Sequence, residues 1–268
     1  MIITVQAIFA YHLPKSTQVV ARLQAARTGD QQILHEALTL GSASLTESQA
    51  GGERLLRGVV APGELRISYS ATIDNGARQP LRASAAQYDW ADLPVDVYAC
   101  LLPSRFCPTD KFLRFTKRQF GNLGGGAAVI AILDWIYSHV DYVSGASTPS
   151  TTAEHTFVDR AGVCRDFAHL AITLIRAAGI PARAVAAYAH RLDPPDFHAV
   201  VEVWLDGRWW LADPTRLAPV EGLVRIASGR DAGDIAFLTT SGDIELIELS
   251  VNAGLWVPPV TPLPLGSA

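Results

Sequence analysis

The stretch 159–181, DRAGVCRDFAHLAITLIRAAGIP, decides how the rest of the chain is read. Phe167, Leu170, Ala171, Leu174, Ile175 and Ala178 recur at the i, i+3, i+4, i+7 spacing that buries one face of an α-helix. Gly179 followed by Ile180-Pro181 is a helix stop. Cys164 therefore falls in or beside the first helical turn. Unpaired backbone N–H groups and the positive end of the helix dipole favour an anion at such a position. A thiolate placed there is a better nucleophile at neutral pH. The competing reading is an inert, buried cysteine, the usual fate of a single thiol.

Outward from this helix the chain divides into two textures. Residues 1–95 read mainly as β: ITVQAIFAYHL and GELRISYSATID alternate apolar and polar residues between turn signals. ARLQAARTGDQQILHEALTL, split by Thr-Gly-Asp, reads as two arms of a hairpin, and GSASLTESQAGGE as a small-residue loop. Residues 96–268 form the second expected domain. There a proline-punctuated loop leads into DKFLRFTKRQFG and the helical AAVIAILDWIYSHVDYV, and a polar connector precedes the Cys164 helix. After Pro181 come the strand-like runs ARAVAAYAH, FHAVVEVWL, RWWLAD and DIELIELSV. The pattern is α+β, with helices followed by a mostly antiparallel sheet.

Composition narrows the function classes. The chain has 268 residues, 49% hydrophobic and 18% charged, enough for a sizeable core. A net charge of −4 leaves no footprint for nucleic acid or an anionic membrane. No apolar run approaches the roughly 18 residues that span a bilayer, and MIITVQAIFAYHLPK lacks the basic start of a signal peptide. Three cysteines, Cys100, Cys107 and Cys164, make neither a disulfide framework nor a zinc site. Cys100 and Cys107 are close enough to pair, but nothing in the sequence requires it. A reducing cytoplasm is the expected setting.

A cysteine nucleophile needs a base, and the base needs an orienting group. Seven histidines are available. The segment FHAVVEVWLDGRWWLADPT separates them, because Asp206-Gly207 is a strong two-residue hairpin signal. That turn pairs Leu205 with Arg208 and, further out, Val200 with Asp213 and His198 with Thr215. His198 and Asp213 then emerge on one face as diagonal neighbours, roughly 7–8 Å apart between backbones. An imidazole and a carboxylate can bridge that gap, whereas an odd-length loop or a bulge would break it. Taken singly, His198 is an ordinary strand residue and Asp213 a turn former before Pro214. The same pairing puts Trp204 and Trp209 on the triad's face and Trp210 on the other. His169 lies about 140° from the core direction of its helix, at about 3.6 residues per turn, and is expected on the polar side. His12, His35, His139, His155 and His190 have no arguable partner.

RAGVCRDFAHLAITLIRAAGIPARAV and DFHAVVEVWLDGRWWLADPT, with the stretch between them, resemble the bacterial transglutaminase-like superfamily, which includes candidate cysteine proteases. LLPSRFCPTD and GRDAGDIAF look like flanking motifs of the same group. The resemblance covers roughly residues 100–240 and, more loosely, the β-rich start. It implies a papain-like core in which the Cys164 helix packs on an antiparallel sheet. It also implies that Cys164 is the nucleophile, His198 the acid/base and Asp213 the orienter. The implied activity is acyl transfer from a peptide or amide through a thioester, completed by water or by a primary amine. Hydrolysis of a peptide or protein substrate is the expected outcome, and a non-catalytic binding module on the same fold is the alternative. No cofactor and no metal are expected. Animal members carry calcium sites, but no EF-hand-like loop or acidic cage occurs here. The backbone N–H of Cys164 is one candidate oxyanion donor. Tyr142 and Thr152 are side-chain candidates, with packing and loop roles as the alternatives.

Overall fold

A computed structural model describes residues 1–257. Six strands come first: β1 (Ile2–Leu13), β2 (Thr17–Ala21), β3 (Gln32–Thr39), β4 (Thr46–Ala50), β5 (Glu53–Val60) and β6 (Gly63–Asp74). Helices α1 (Val95–Tyr98), α2 (Leu113–Phe120) and α3 (Gly125–His139) follow, then strand β7 (Asp141–Tyr142) and helix α4 (Ala153–Asp159). Strand β8 (Ala161–Gly162) leads into helix α5 (Cys164–Ala177). The described residues close with β9 (Ala182–Ala189), β10 (Phe197–Leu205), β11 (Arg208–Ala212), β12 (Leu223–Gly229), β13 (Leu238–Thr240) and β14 (Glu245–Leu255). No single helix among the described residues is long and apolar enough to cross a bilayer.

Three four-stranded antiparallel sheets result, in the orders β14-β1-β6-β3, β13-β2-β5-β4 and β11-β10-β9-β12. Alternation in β1 and β6 buries Ile3, Val5, Ala7 and Phe9 with Leu65, Ile67, Tyr69 and Ile73. Each strand thus gives one face to the core and the other to solvent. β13 and β14 return to the first two sheets, so the chain's last strands lie beside its first.

Two expectations for the β region are corrected. The arms of residues 21–40 meet only at one antiparallel bridge, Thr28–Gln31, and beyond it β3 joins β6 instead. The preceding segment runs along the edge of β12, where the Ala26 N–H donates to Arg225 O at 2.8 Å. Tertiary partners there satisfy the backbone groups that a hairpin would have paired. The expected loop over 41–53 contains β4, paired with β5. Its polar residues hide an edge strand, and Glu47 on it takes two hydrogen bonds from Arg54, each 3.0 Å.

The third sheet carries the chemistry-bearing hairpin. Asp206 (φ 54°) and Gly207 (φ 71°) both adopt the left-handed region that a type I′ turn requires. Leu205 pairs with Arg208, and the ladder continues through Trp204–Trp209 to Val201–Ala212. The expected register is the observed one. Trp204 and Trp209 meet edge to face at 5.3 Å, while the Trp210 indole donates to Leu205 O at 3.0 Å.

Helix α5 ends as its sequence signals. Gly179 (φ 79°) and Ile180 close a Schellman pair, their N–H groups donating to Arg176 O (2.9 Å) and Ile175 O (3.2 Å). Its residues share a core with Ala184, Ala186, Val201 and Val203 of the sheet. Every α5 residue from Asp166 to Arg176 is buried, so the helix has no solvent side at this level. His169 is accordingly not on a polar face, contrary to the pattern-based expectation. The loop before α2 covers it, and its ring stacks on Phe106 at 5.0 Å and 3°.

Candidate active site

Cys164 is the first residue of α5, with Val163 at the N-cap. The Val163 side chain has no polar atom, so the cap comes from inside the helix: Asp166 reaches back and accepts the Val163 N–H at 2.9 Å. Cys164 is half-buried and free. Cys100 and Cys107 are also free but buried, so they form no disulfide. Burial pushes both of those thiols up, Cys107 to about 11.

His198 is the second residue of β10, and its imidazole Nε2 lies 3.0 Å from Asp213 Oδ2. Both side chains are buried. The carboxylate accepts three further bonds, from the Thr215 N–H (2.9 Å), the Thr215 hydroxyl (2.7 Å) and the Ala218 N–H (3.0 Å). Burial alone would raise Asp213, but the His198 bond and charge, with Thr215 and Ala218, hold it below its ordinary range. Burial alone would lower His198. Hydrogen bonds to Asp213 and Cys164, with their charges, outweigh it and raise the imidazole to about 9. Its other nitrogen, Nδ1, is buried without a nitrogen or oxygen partner. The Thr215 hydroxyl lies 3.4 Å from Nε2, and the Cys164 side chain also engages the ring.

Tyr142 also joins Cys164. Parallel pairing of β7 with β8 sets Tyr142 beside Gly162, two residues before the cysteine. The Tyr142 ring leans on Phe167 at 5.9 Å. Its hydroxyl meets the Cys164 backbone N–H and thiol, and burial followed by the Cys164 charge pushes it up to about 12. A phenol so placed stays protonated and able to donate. Thr152 has a different job: it caps α4, with its backbone N–H and hydroxyl on His155 Nδ1 at 3.1 and 2.9 Å.

Sequence reasoning missed Thr215. Its signal is Asp-Pro-Thr itself, in which a hydroxyl two residues after a carboxylate can close a local turn. It also missed Arg165. That side chain donates to Thr148 O (2.6 Å) and Ser147 Oγ (3.3 Å), tying the 143–152 loop to the start of α5. Among the described residues no group of three or more His, Cys, Asp or Glu side chains could hold a metal ion.

Comparison with known proteins places the chain that carries this arrangement in a family. The model of the transglutaminase-like superfamily matches residues 114–214. A solved candidate cysteine protease from Cytophaga hutchinsonii is 36% identical, with a TM-score of 0.87 over 98% of this chain and 93% of its own. The chain belongs to the transglutaminase-like superfamily. Curated relatives match over parts of their length. An uncharacterized protein of Mycobacterium leprae is 28% identical over 188 residues, 65% of this chain and 66% of that protein. A protein-glutamine gamma-glutamyltransferase of Pseudomonas aeruginosa is 32% identical over 126 residues, 41% of this chain and 19% of its own length. The superfamily match includes all three positions, Cys164, His198 and Asp213. The solved neighbour extends the likeness over the β-rich sheets as well.

Proposed function

We propose that this superfamily member is a thiol acyl-transfer enzyme that hydrolyses a peptide or amide bond. The observation that carries the reading is the placement of Cys164 at a helix start, engaged with an imidazole that Asp213 holds at 3.0 Å. The Cys164 thiolate attacks the carbonyl carbon, and the electron pair of the C=O bond moves to oxygen. The Cys164 N–H and the Tyr142 hydroxyl are the donors offered to that oxyanion. On collapse the C–N bond breaks, and the His198 imidazolium gives its proton to the departing amine. A thioester on Cys164 remains. Water then attacks it, His198 takes the water's proton, and the C–S bond breaks, releasing the acid product and restoring the Cys164 thiolate beside the His198 imidazolium.

The full-length likeness to a candidate cysteine protease favours water as the acceptor. The likeness of a shorter part to a protein-glutamine gamma-glutamyltransferase favours a second reading, in which a primary amine takes the acyl group. The three free thiols fit a reducing compartment, and the cytoplasm is our assignment. The deciding experiment offers a glutamine-containing peptide together with a primary amine and follows both products by mass spectrometry. Dominant hydrolysis is expected. A dominant amine adduct at modest amine concentration would make the enzyme a transferase. Full activity in Cys164→Ala would remove the mechanism altogether.

A further inference from the structure

A second concave site lies away from Cys164, where the turn before β3 and the segment after β6 approach β11. It encloses about 290 Å³, and its walls include Asp30, Arg78, Arg208, Trp209, Leu211 and Arg225. Two features of these walls are unfinished.

The first is electrostatic. Arg78 and Arg225 are almost wholly buried, with side-chain exposures of 6% and 7%. Both pair with Asp30, and Arg225 shares Glu202 with Arg183. Three guanidiniums thus stand against two carboxylates, which leaves one positive charge uncompensated. Burial and then the charge of Arg225 bring Arg78 down to about 10, whereas Glu202 and Asp30 outweigh burial at Arg225 and raise it. Arg225 spends Nε on Glu202 and Nη1 on Asp30. Its Nη2 bonds to none of the described residues, yet it is not a sealed polar atom. Arg225 itself walls the cavity.

The second is a free strand edge. β11 ends its sheet and pairs only with β10. In a two-residue hairpin the residues flanking the turn exchange hydrogen bonds, so Arg208, Trp210 and Ala212 face β10. Trp204, opposite Trp209, sends its N–H the other way, to Pro181 O at 2.9 Å. Trp209 and Leu211 therefore aim their N–H and C=O groups outward, and none of these groups has a partner among the described residues. Leu211 is only 4% exposed, and it is one of the residues that wall the cavity. Unpaired buried backbone groups are costly and rare in native structures.

We propose that this cavity takes the carboxy-terminal end of an extended peptide, its carboxylate on the Arg225 guanidinium and its backbone added to the open edge of β11. Each half of the site accounts for one unfinished feature: the carboxylate balances the surplus cation, and the strand closes the ladder. The volume suits the last residues of a chain, not a folded partner. The site does not depend on Cys164, and a peptide held there leaves the thiol free.

The test uses the full chain, native and Cys164→Ala, titrated with acetyl-trialanine acid, acetyl-trialanine amide and sodium acetate. The indole N–H resonances of Trp209 and Trp210 report binding. The acid peptide is expected to shift them, with the amide weaker by roughly tenfold or more, the worth of a charge-assisted hydrogen bond. Acetate alone should be weaker again. Ala77→Trp, at an exposed loop position on the cavity wall, should abolish the shifts. Equal binding of acid and amide would overturn the carboxylate contact. Acetate binding as well as the peptide would reduce the cavity to an anion site and overturn the strand addition. Unchanged binding in Ala77→Trp would place the peptide elsewhere. Because the Cys164→Ala protein gives the same readout, failure here is distinct from failure of the proposed catalysis.

Discussion

His198 Nε2 lies 3.0 Å from Asp213 Oδ2, although the two residues stand on different strands of the β10–β11 hairpin region. This contact keeps the imidazole charged in a buried setting that would otherwise strip its proton. The raised value, about 9, has a definite sign in pH space. A histidine whose folded value exceeds its unfolded one adds stability that is full below about 6.5 and lost as pH rises through about 9.

The stability gap between the native protein and His198→Ala should therefore be largest below about pH 6.5 and shrink towards pH 9. Denaturant melts at a series of pH values measure it. The alkaline limb of kcat/KM should fall near the same upper value. In Asp213→Asn it should move to lower pH, because the bond and charge that raise His198 are gone. A gap that widens with pH would contradict the assignment.

Thr215 donates twice to the same carboxylate, through its N–H and its hydroxyl. Thr215→Val deletes the hydroxyl bond and keeps the volume. Loss of a hydrogen bond to a charged acceptor costs about 1.5–3 kcal/mol, or roughly 10–100-fold in kcat/KM if Asp213 must stay charged and oriented. Thr215→Ser should recover most of that activity, which a packing role for the methyl group would not allow.

Tyr142→Phe removes one candidate oxyanion donor and leaves the ring on Phe167. A fall of about 10²–10³-fold in kcat with little change in KM is expected from the loss of such a donor. Unchanged kcat would return Tyr142 to a packing role.

His169 accepts the Ala232 N–H at Nε2 (3.1 Å), so the neutral ring carries its proton on Nδ1. Burial lowers it to about 4, against the opposing charge of Asp231. The unfolded state therefore binds this proton first, and stability is lost as pH falls from about 6.5 towards 4. His169→Gln keeps an acceptor near Nε2 and removes the titration. Its melting temperature should fall less across that window than the native protein's.

The sequence was most legible where one local signal had a single geometric outcome. Asp206-Gly207 dictates a two-residue turn, the turn dictates the register, and the register puts His198 and Asp213 on one face. Cys164 at the helix start followed from apolar spacing and the Gly179 stop. His169 was misplaced because periodicity reports the preferred core direction of an isolated helix. It cannot report that the loop carrying Phe106 covers the opposite side. The segment 22–31 was misread because its partner, β12, lies far along the chain. Strand β4 was misread although its partner β5 follows directly across Gly51-Gly52, because its polar residues show no apolar alternation. Tyr142 was a candidate from position alone. Its meeting with Cys164 depends on the two-residue pairing of β7 with β8, which is too short to leave a pattern.

The acyl group on Cys164 is the most direct object to measure. The native protein, Cys164→Ser and His198→Ala would each be mixed with p-nitrophenyl acetate, quenched in acid during turnover and mapped by peptide mass spectrometry. The account predicts acetyl on the Cys164 peptide of the native protein at one group per chain. It predicts slow acetylation of that peptide in His198→Ala and no thioester there in Cys164→Ser. Acetyl on another residue during turnover, or equal rates on Cys164 with and without His198, would contradict it.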